Sequence, residues 1–119
     1  MLGLLLIDHG SRRAESNAQL EDMARRVAVV RPSALVGVAH MEIAQPDIAS
    51  GVAELVSRGA TDIIALLYFL SDGRHVSTDV PQLLAQACAA FPGITWRCST
   101  ALGPHDALAR LLLERAGIE

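Results

Sequence analysis

Four apolar runs, each followed by a stretch whose apolar residues recur at helical spacing, constrain this chain more than any other feature. A strand with one solvated face alternates apolar and polar residues. Leu2–Ile7, "LGLLLI", and Asp62–Tyr68, "DIIALLY", offer almost no polar face. Strands of that kind are covered on both sides, which calls for a parallel sheet with helices on both faces.

The other two runs are Ala34–Ala39 and Ile94–Ser99. The last, "ITWRCS", alternates apolar with polar residues and reads as an edge strand. The first helix carries Leu20, Met23, Ala24, Val27 and Val30 on one stripe and ends before Pro32, whose ring disfavours helix at the residue before it. Pro46 and Asp47 open the second, Ile48, Val52, Leu55 and Val56 form its inner face, and Gly59 suits its C-terminal cap. The third is expected to start at Ser77 or Thr78, with Pro81 in its first turn and Val80, Leu83, Leu84, Ala87 and Phe91 inward, until Pro92-Gly93 stops it. Pro104 opens the fourth. The leucine-rich stripes read as core, and residues 1–119 as one α/β domain.

Composition removes several functions. Aromatic residues are 3% of the chain and the formal net charge is -3, so neither base-stacking platforms nor a basic surface is available, and nucleic acid is not an expected partner. All ten basic residues are Arg. Without lysine there is no Schiff-base or P-loop lysine chemistry. Cys88 and Cys98 lie too far apart for a CxxC motif and read as free thiols of a reducing cytoplasm. The apolar start is too short to span a membrane and reads as a strand.

The four histidines all fall where strands give way to helices: His9, His40, His75 and His105. In open α/β sheets that end of the strands is where ligands bind. Neutral imidazoles gathered there bind divalent metals or take protons near neutral pH. Asp8, Glu42, Asp72 and Asp79 are nearby carboxylates, and Arg12, Arg13 and Arg74 are forks for anionic groups. Positive charge at a helix start opposes the macrodipole, which points to an anionic partner. His40, last in a buried strand, fits either a satisfied core histidine or a ligand. His105, beside Pro104, reads as structural or exposed, and Asp72 as a turn residue before Gly73.

Three motifs then stand out in order: "LLLIDHGSR" through Asp8-His9-Gly10-Ser11-Arg12, "AHMEIAQPDI" from Ala39, and "YFLSDGRHVSTDVP" from Tyr68. Each falls at a strand-to-helix junction, and together with the alternation around them they make nearly the whole chain resemble the small sirohydrochlorin chelatases. Leu67 stands where that family's pattern has a proline. The resemblance implies a chelatase-like, flavodoxin-like half-unit that inserts cobalt or ferrous iron into a tetrapyrrole for cobalamin or siroheme synthesis, with the metal as substrate and no organic cofactor. It also implies His9 and His75 at the metal and a homodimer in the short versions.

Insertion requires removing two pyrrole protons while the ion is held nearby, and two imidazoles supply both functions. His9 and His75 are therefore the expected metal ligands and proton acceptors, with Glu42 assisting. Gly10, Ser11, Arg12, Gly73 and Arg74 are the expected substrate-binding residues, the arginines and loop amides taking carboxylates and the glycines letting backbone approach the ring. A broad, flat tetrapyrrole on a shallow ledge also argues for a second subunit as the other wall of a cleft. Asp8–Asn17 resembles histidine phosphatases as well, but Asp8 stands where their arginine precedes the histidine and would repel phosphate. A phospho-receiver is excluded by the missing lysine and acceptor aspartate. A non-catalytic metal or tetrapyrrole carrier on the same scaffold is the alternative from another class.

Overall fold

The computed structural model describes residues 1–118, the side chains of Arg74 and His75 excepted. Strands and helices alternate: β1 (Leu2–Asp8), α1 (Ala14–Val30), β2 (Leu35–His40), α2 (Ile48–Ser57), β3 (Asp62–Leu67), α3 (Arg74–Ala89), β4 (Thr95–Cys98) and α4 (Asp106–Arg115). The strands form one parallel sheet in the order β2-β1-β3-β4. β1, the most continuous apolar run, takes a central place, with Gly3 to Ile7 all buried. β4 lies at the edge, and three of its four residues are exposed, as its alternation predicts.

Burial divides the sheet into two unequal faces. On one, Leu5, Ile7, Ile63 and Leu67 pack against Val52 and Leu55 of α2 and Val80 and Leu84 of α3. On the other, Leu6 meets Leu20 and Ala24 of α1, with Met23, Val27 and Leu66 around them. Leu5, Leu20, Leu55, Ile63 and Leu84 are fully buried. Each contributes about 1.5–3 kcal/mol by leaving water. Gly51 lets α2 ride close to the sheet, since a Cβ there would sit 2.9 Å from a Leu5 methyl and 3.0 Å from the Ala39 Cβ.

Three features differ from the sequence expectations. α3 starts at Arg74, a turn earlier than Ser77 or Thr78, so Pro81 lies inside the helix and not in its first turn. Gly73 occupies the N-cap position with no side-chain cap, which left no residue signal for the true start. Val30 is 84% exposed, so the inward stripe of α1 ends before it. The largest difference is α4, none of whose residues is buried. Leu111, Leu112 and Leu113 are 41%, 71% and 45% exposed, so this leucine stripe is not core of its own subunit. A stripe records an apolar face; it does not record what covers that face.

Candidate active site

β1 and β2 run in register to their last residues, Asp8 opposite His40. The pairing continues past both ends. The Met41 N–H donates to the Asp8 carbonyl at 2.9 Å and the Glu42 N–H to the His9 carbonyl at 3.2 Å. This extended ladder sets two functional side chains beside each other. His9 Nε2 lies 3.2 Å from Glu42 Oε1, and both side chains are 56% exposed. A proton can pass between them, and both remain open to a ligand.

The turn after His9 requires glycine. Gly10 has φ 94°, and a Cβ there would fall 1.9 Å from the Glu42 carbonyl oxygen. The close approach comes from the chain's own loop, whereas the sequence suggested a ligand's approach as the reason. Ser11 is clamped by Asn17, whose side-chain oxygen accepts from the Ser11 N–H at 2.9 Å and whose amide donates to the Ser11 carbonyl at 2.8 Å. The Ser11 hydroxyl accepts from the Arg13 N–H at 3.0 Å and keeps its own proton to donate. Arg13 is paired with Glu15 at 2.7 Å, while Arg12 is exposed and makes no ion pair among the described residues. Arg12 is thus the cation of this pair that remains available.

Beneath this surface sits a second pair. His40 is 2% exposed, and its Nδ1 lies 2.5 Å from Asp8 Oδ1. The His40 N–H donates to the Pro46 carbonyl at 2.8 Å. Of its two sequence readings, His40 is the satisfied core histidine. The loop it begins closes at Asp47, whose carboxylate caps α2 by accepting from the Ser50 N–H at 2.8 Å. That bond holds the Asp47 carboxyl below the ordinary aspartate range.

β3 brings the other side of the rim. The Tyr68 N–H donates to the Ile7 carbonyl, and the Phe69 ring meets His9 edge-on with centroids 6.2 Å apart. The next residues pair with the β4–α4 connection: Leu102 N–H to Phe69 O at 2.9 Å and Gly103 N–H to Leu70 O at 2.8 Å. Asp72 is more than a turn residue, since its carboxylate accepts from the Ala101 N–H at 3.3 Å. Gly73 is exposed, with nothing within 4 Å of where a Cβ would be. Arg74 and His75 fall in the first turn of α3, and the expected roles of their side chains lie outside what the structure describes. His105 is a structural residue: it precedes α4 and its Nδ1 accepts from the Ala107 N–H at 2.9 Å.

His9 and Glu42 stand between two open depressions. One lies between Ser11, Asn17 and Tyr68–Leu70; the other lies between Met41, Asp79, Gln82 and Gln86. Exposed apolar side chains occur on both loops, Ile43 at 61%, Leu70 at 73% and Tyr68 at 37%. Among the described residues no three His, Cys, Asp or Glu side chains converge; His9 and Glu42 form a pair. Sequence reading missed Asn17 as the clamp on Ser11 and Phe69 as the neighbour of His9. A polar residue seven positions after the turn glycine was the only signal for the first.

The family model CbiX matches residues 3–118. Among curated proteins, the chain is 38% identical over 113 residues to the chloroplastic sirohydrochlorin ferrochelatase of Arabidopsis thaliana, covering 95% of this chain and 50% of that protein. It is 30% identical over 123 residues to the sirohydrochlorin cobaltochelatase of Methanococcoides burtonii, covering 97% and 94%. Of solved structures, a CbiX protein from Marinobacter aquaeolei VT8 superposes with TM-score 0.82 at 25% identity, covering 98% of this chain and 95% of that one. The sirohydrochlorin chelatase SirB from Bacillus subtilis subspecies spizizenii, in complex with cobalt, shares the fold with TM-score 0.89 at 21% identity over 98% of this chain. The chain spans half the length of the Arabidopsis protein and of SirB.

Proposed function

The chain belongs to the CbiX family, and on that premise we propose that it inserts a divalent metal, cobalt or ferrous iron, into sirohydrochlorin or a close tetrapyrrole. The metal is a substrate, and no organic cofactor is required. The observation that carries this reading is the exposed His9–Glu42 contact at 3.2 Å, at the end of the sheet where α/β folds bind ligands. In the reaction two pyrrole N–H groups lose protons as the dication enters, so charge balances when both protons leave through bases. His9 and His75 hold the ion through the lone pairs of their ring nitrogens and take these protons as the ion passes into the macrocycle and frees those lone pairs, and Glu42 relays the proton from His9 Nε2.

The substrate's carboxylates need donors outside that pair. Arg12 and Arg74, the Ser11 hydroxyl, and amides near Gly10 and Gly73 at the starts of α1 and α3 serve this purpose, because helix N-termini carry unpaired N–H groups and a positive dipole end. Ile43, Leu70 and Tyr68 offer the macrocycle apolar surface. Residues 1–119 act as one chelatase-like domain, and two copies form a homodimer that supplies both walls of the cleft, since one four-stranded sheet offers a broad, flat tetrapyrrole only a shallow ledge. Two free cysteines fit a reducing compartment, which we take to be the cytoplasm. No helix among the described residues is long and apolar enough to cross a membrane.

The test is anaerobic insertion of cobalt or ferrous ion into sirohydrochlorin, followed by tetrapyrrole absorbance, for wild type, His9→Ala and His75→Ala. General acid–base groups contribute about 100-fold or more, so each variant is expected to lose at least that factor. Both are expected to keep wild-type unfolding midpoints. Wild-type rates no faster than the uncatalysed mixture would overturn the reading, and stoichiometric retention of metal or tetrapyrrole without turnover would mark a carrier.

A further inference from the structure

Ile43 is a β-branched residue in a conformation that suits glycine. Its φ is 75°, the one positive value at a non-glycine among the described residues. The Ala44 N–H donates to the Glu42 carbonyl at 2.8 Å, two residues back, so residues 42–44 form a γ-turn of positive φ, the rare and strained kind. A branched side chain adds to that strain, whereas glycine would carry none. Burial does not offset the cost. Ile43 is 61% exposed and belongs to neither apolar cluster of the subunit.

Strain of this kind persists where it serves a site, so the surroundings of the turn decide its reading. Glu42, one residue before Ile43, meets His9 Nε2 at 3.2 Å. On the other loop the Phe69 ring meets the same imidazole edge-on at 6.2 Å, and the residue after it, Leu70, is 73% exposed. Each of these two neighbours of His9 is thus followed by an exposed aliphatic residue. The Glu42 N–H is bonded to the His9 carbonyl and the Ala44 N–H to the Glu42 carbonyl, so the backbone is tied on both sides of Ile43. Consecutive Cα atoms are about 3.8 Å apart, and a broad ring whose pyrrole protons reach His9 and Glu42 therefore extends over residue 43 as well.

We propose that Ile43 is a substrate-contact residue: the strained turn holds its side chain against the macrocycle while the ring lies over His9 and Glu42, with Leu70 meeting the ring from the Phe69 loop. This deepens the chelatase reading and rests on it. Among the exposed apolar residues of the site, Ile43 is the one whose placement costs the fold stability, and contact with the ring is what that cost serves.

The experiment pairs urea unfolding midpoints with steady-state insertion of cobalt into sirohydrochlorin at varied tetrapyrrole concentration, for full-length wild type, Ile43→Gly, Ile43→Asn and Ile43→Leu. Ile43→Gly removes the strain together with the side chain. Its midpoint should lie at or above that of wild type, while KM for the tetrapyrrole rises roughly tenfold or more and kcat changes little. Asn tolerates positive φ but offers the ring no apolar surface, so Ile43→Asn should raise KM in the same way. Ile43→Leu stays apolar and should keep KM near wild type. A lower midpoint for Ile43→Gly would mark a side chain used by its own fold, a loss confined to kcat would assign the turn to placing Glu42, and a wild-type KM in Ile43→Gly or Ile43→Asn, or a KM in Ile43→Leu as high as theirs, would remove the apolar contact. Each of these overturns the inference and leaves the chelatase reading standing; a wild type that inserts no metal would overturn both.

Discussion

At the β1–β2 exit, His9 and Glu42 stand on backbone whose amides are already paired, over a buried His40–Asp8 contact and around a glycine that no other residue can replace. At the β3 exit, Gly73 and the first turn of α3 have no side-chain cap and open space around the glycine. The first side holds its groups by structure internal to the chain. The second presents a helix start whose first backbone N–H groups no side chain caps. On the proposed function, the His9–Glu42 proton relay needs the former, because two relaying atoms must keep their separation, whereas a substrate rimmed with flexible carboxylates is served by backbone donors that stay open until it arrives.

The sharpest way to break this comparison is to place one methyl group on each side. Gly10→Ala, with a Cβ driven onto the Glu42 carbonyl and a positive φ, is expected to lose about 3 kcal/mol or more. Gly73→Ala should stay within about 0.5 kcal/mol. Urea unfolding of both decides the matter, and equal losses would remove the distinction.

A smaller effect tests the layer below. His40→Ala takes the partner from a half-buried aspartate and should cost about 2 kcal/mol. Insertion should fall with it through a changed kcat more than a changed KM if the pair steadies the ladder that sets the His9–Glu42 spacing. A kcat equal to wild type would show that the backbone ladder alone sets that spacing.

The smallest effect concerns the end of the Glu42 loop. Asp47→Ala removes the α2 cap at a cost of about 1 kcal/mol near neutral pH. Because folding lowers the Asp47 carboxyl below its unfolded value, the cap is fully present above the unfolded value and is lost as pH falls through the folded one. The gap between wild type and variant should therefore close in acid, as read by thermal melts across that range.

Much of the fold was legible because its signals are local. The strand runs read from sequence match β1 to β4 within a residue at each end, since solid apolar runs bounded by turn residues have few other uses. The His9 turn was legible from Gly10, although its reason was not: the Glu42 carbonyl that crowds it lies 32 residues away in sequence. The same separation hid the Asp8–His40 pair, which left His40 open between core and ligand. The start of α3 was missed because Gly73 caps without a side chain. α4 was misread for a different reason, because periodicity reports an apolar stripe and is silent about whether its own subunit buries it.

The sheet order also orders events in time. Every backbone bond that aligns His9 with Glu42 joins residues between Asp8 and Pro46, so the nascent chain has made all the parts of that half once β2 and its loop emerge. β3 must then slide in along the opposite edge of β1, and only afterwards do the Phe69–Leu70 segment and the root of α4 find each other. Since chains are synthesised from the N-terminus, the half that carries His9 and Glu42 can take shape before the half that carries His75 exists, and α4 is the last helix to appear.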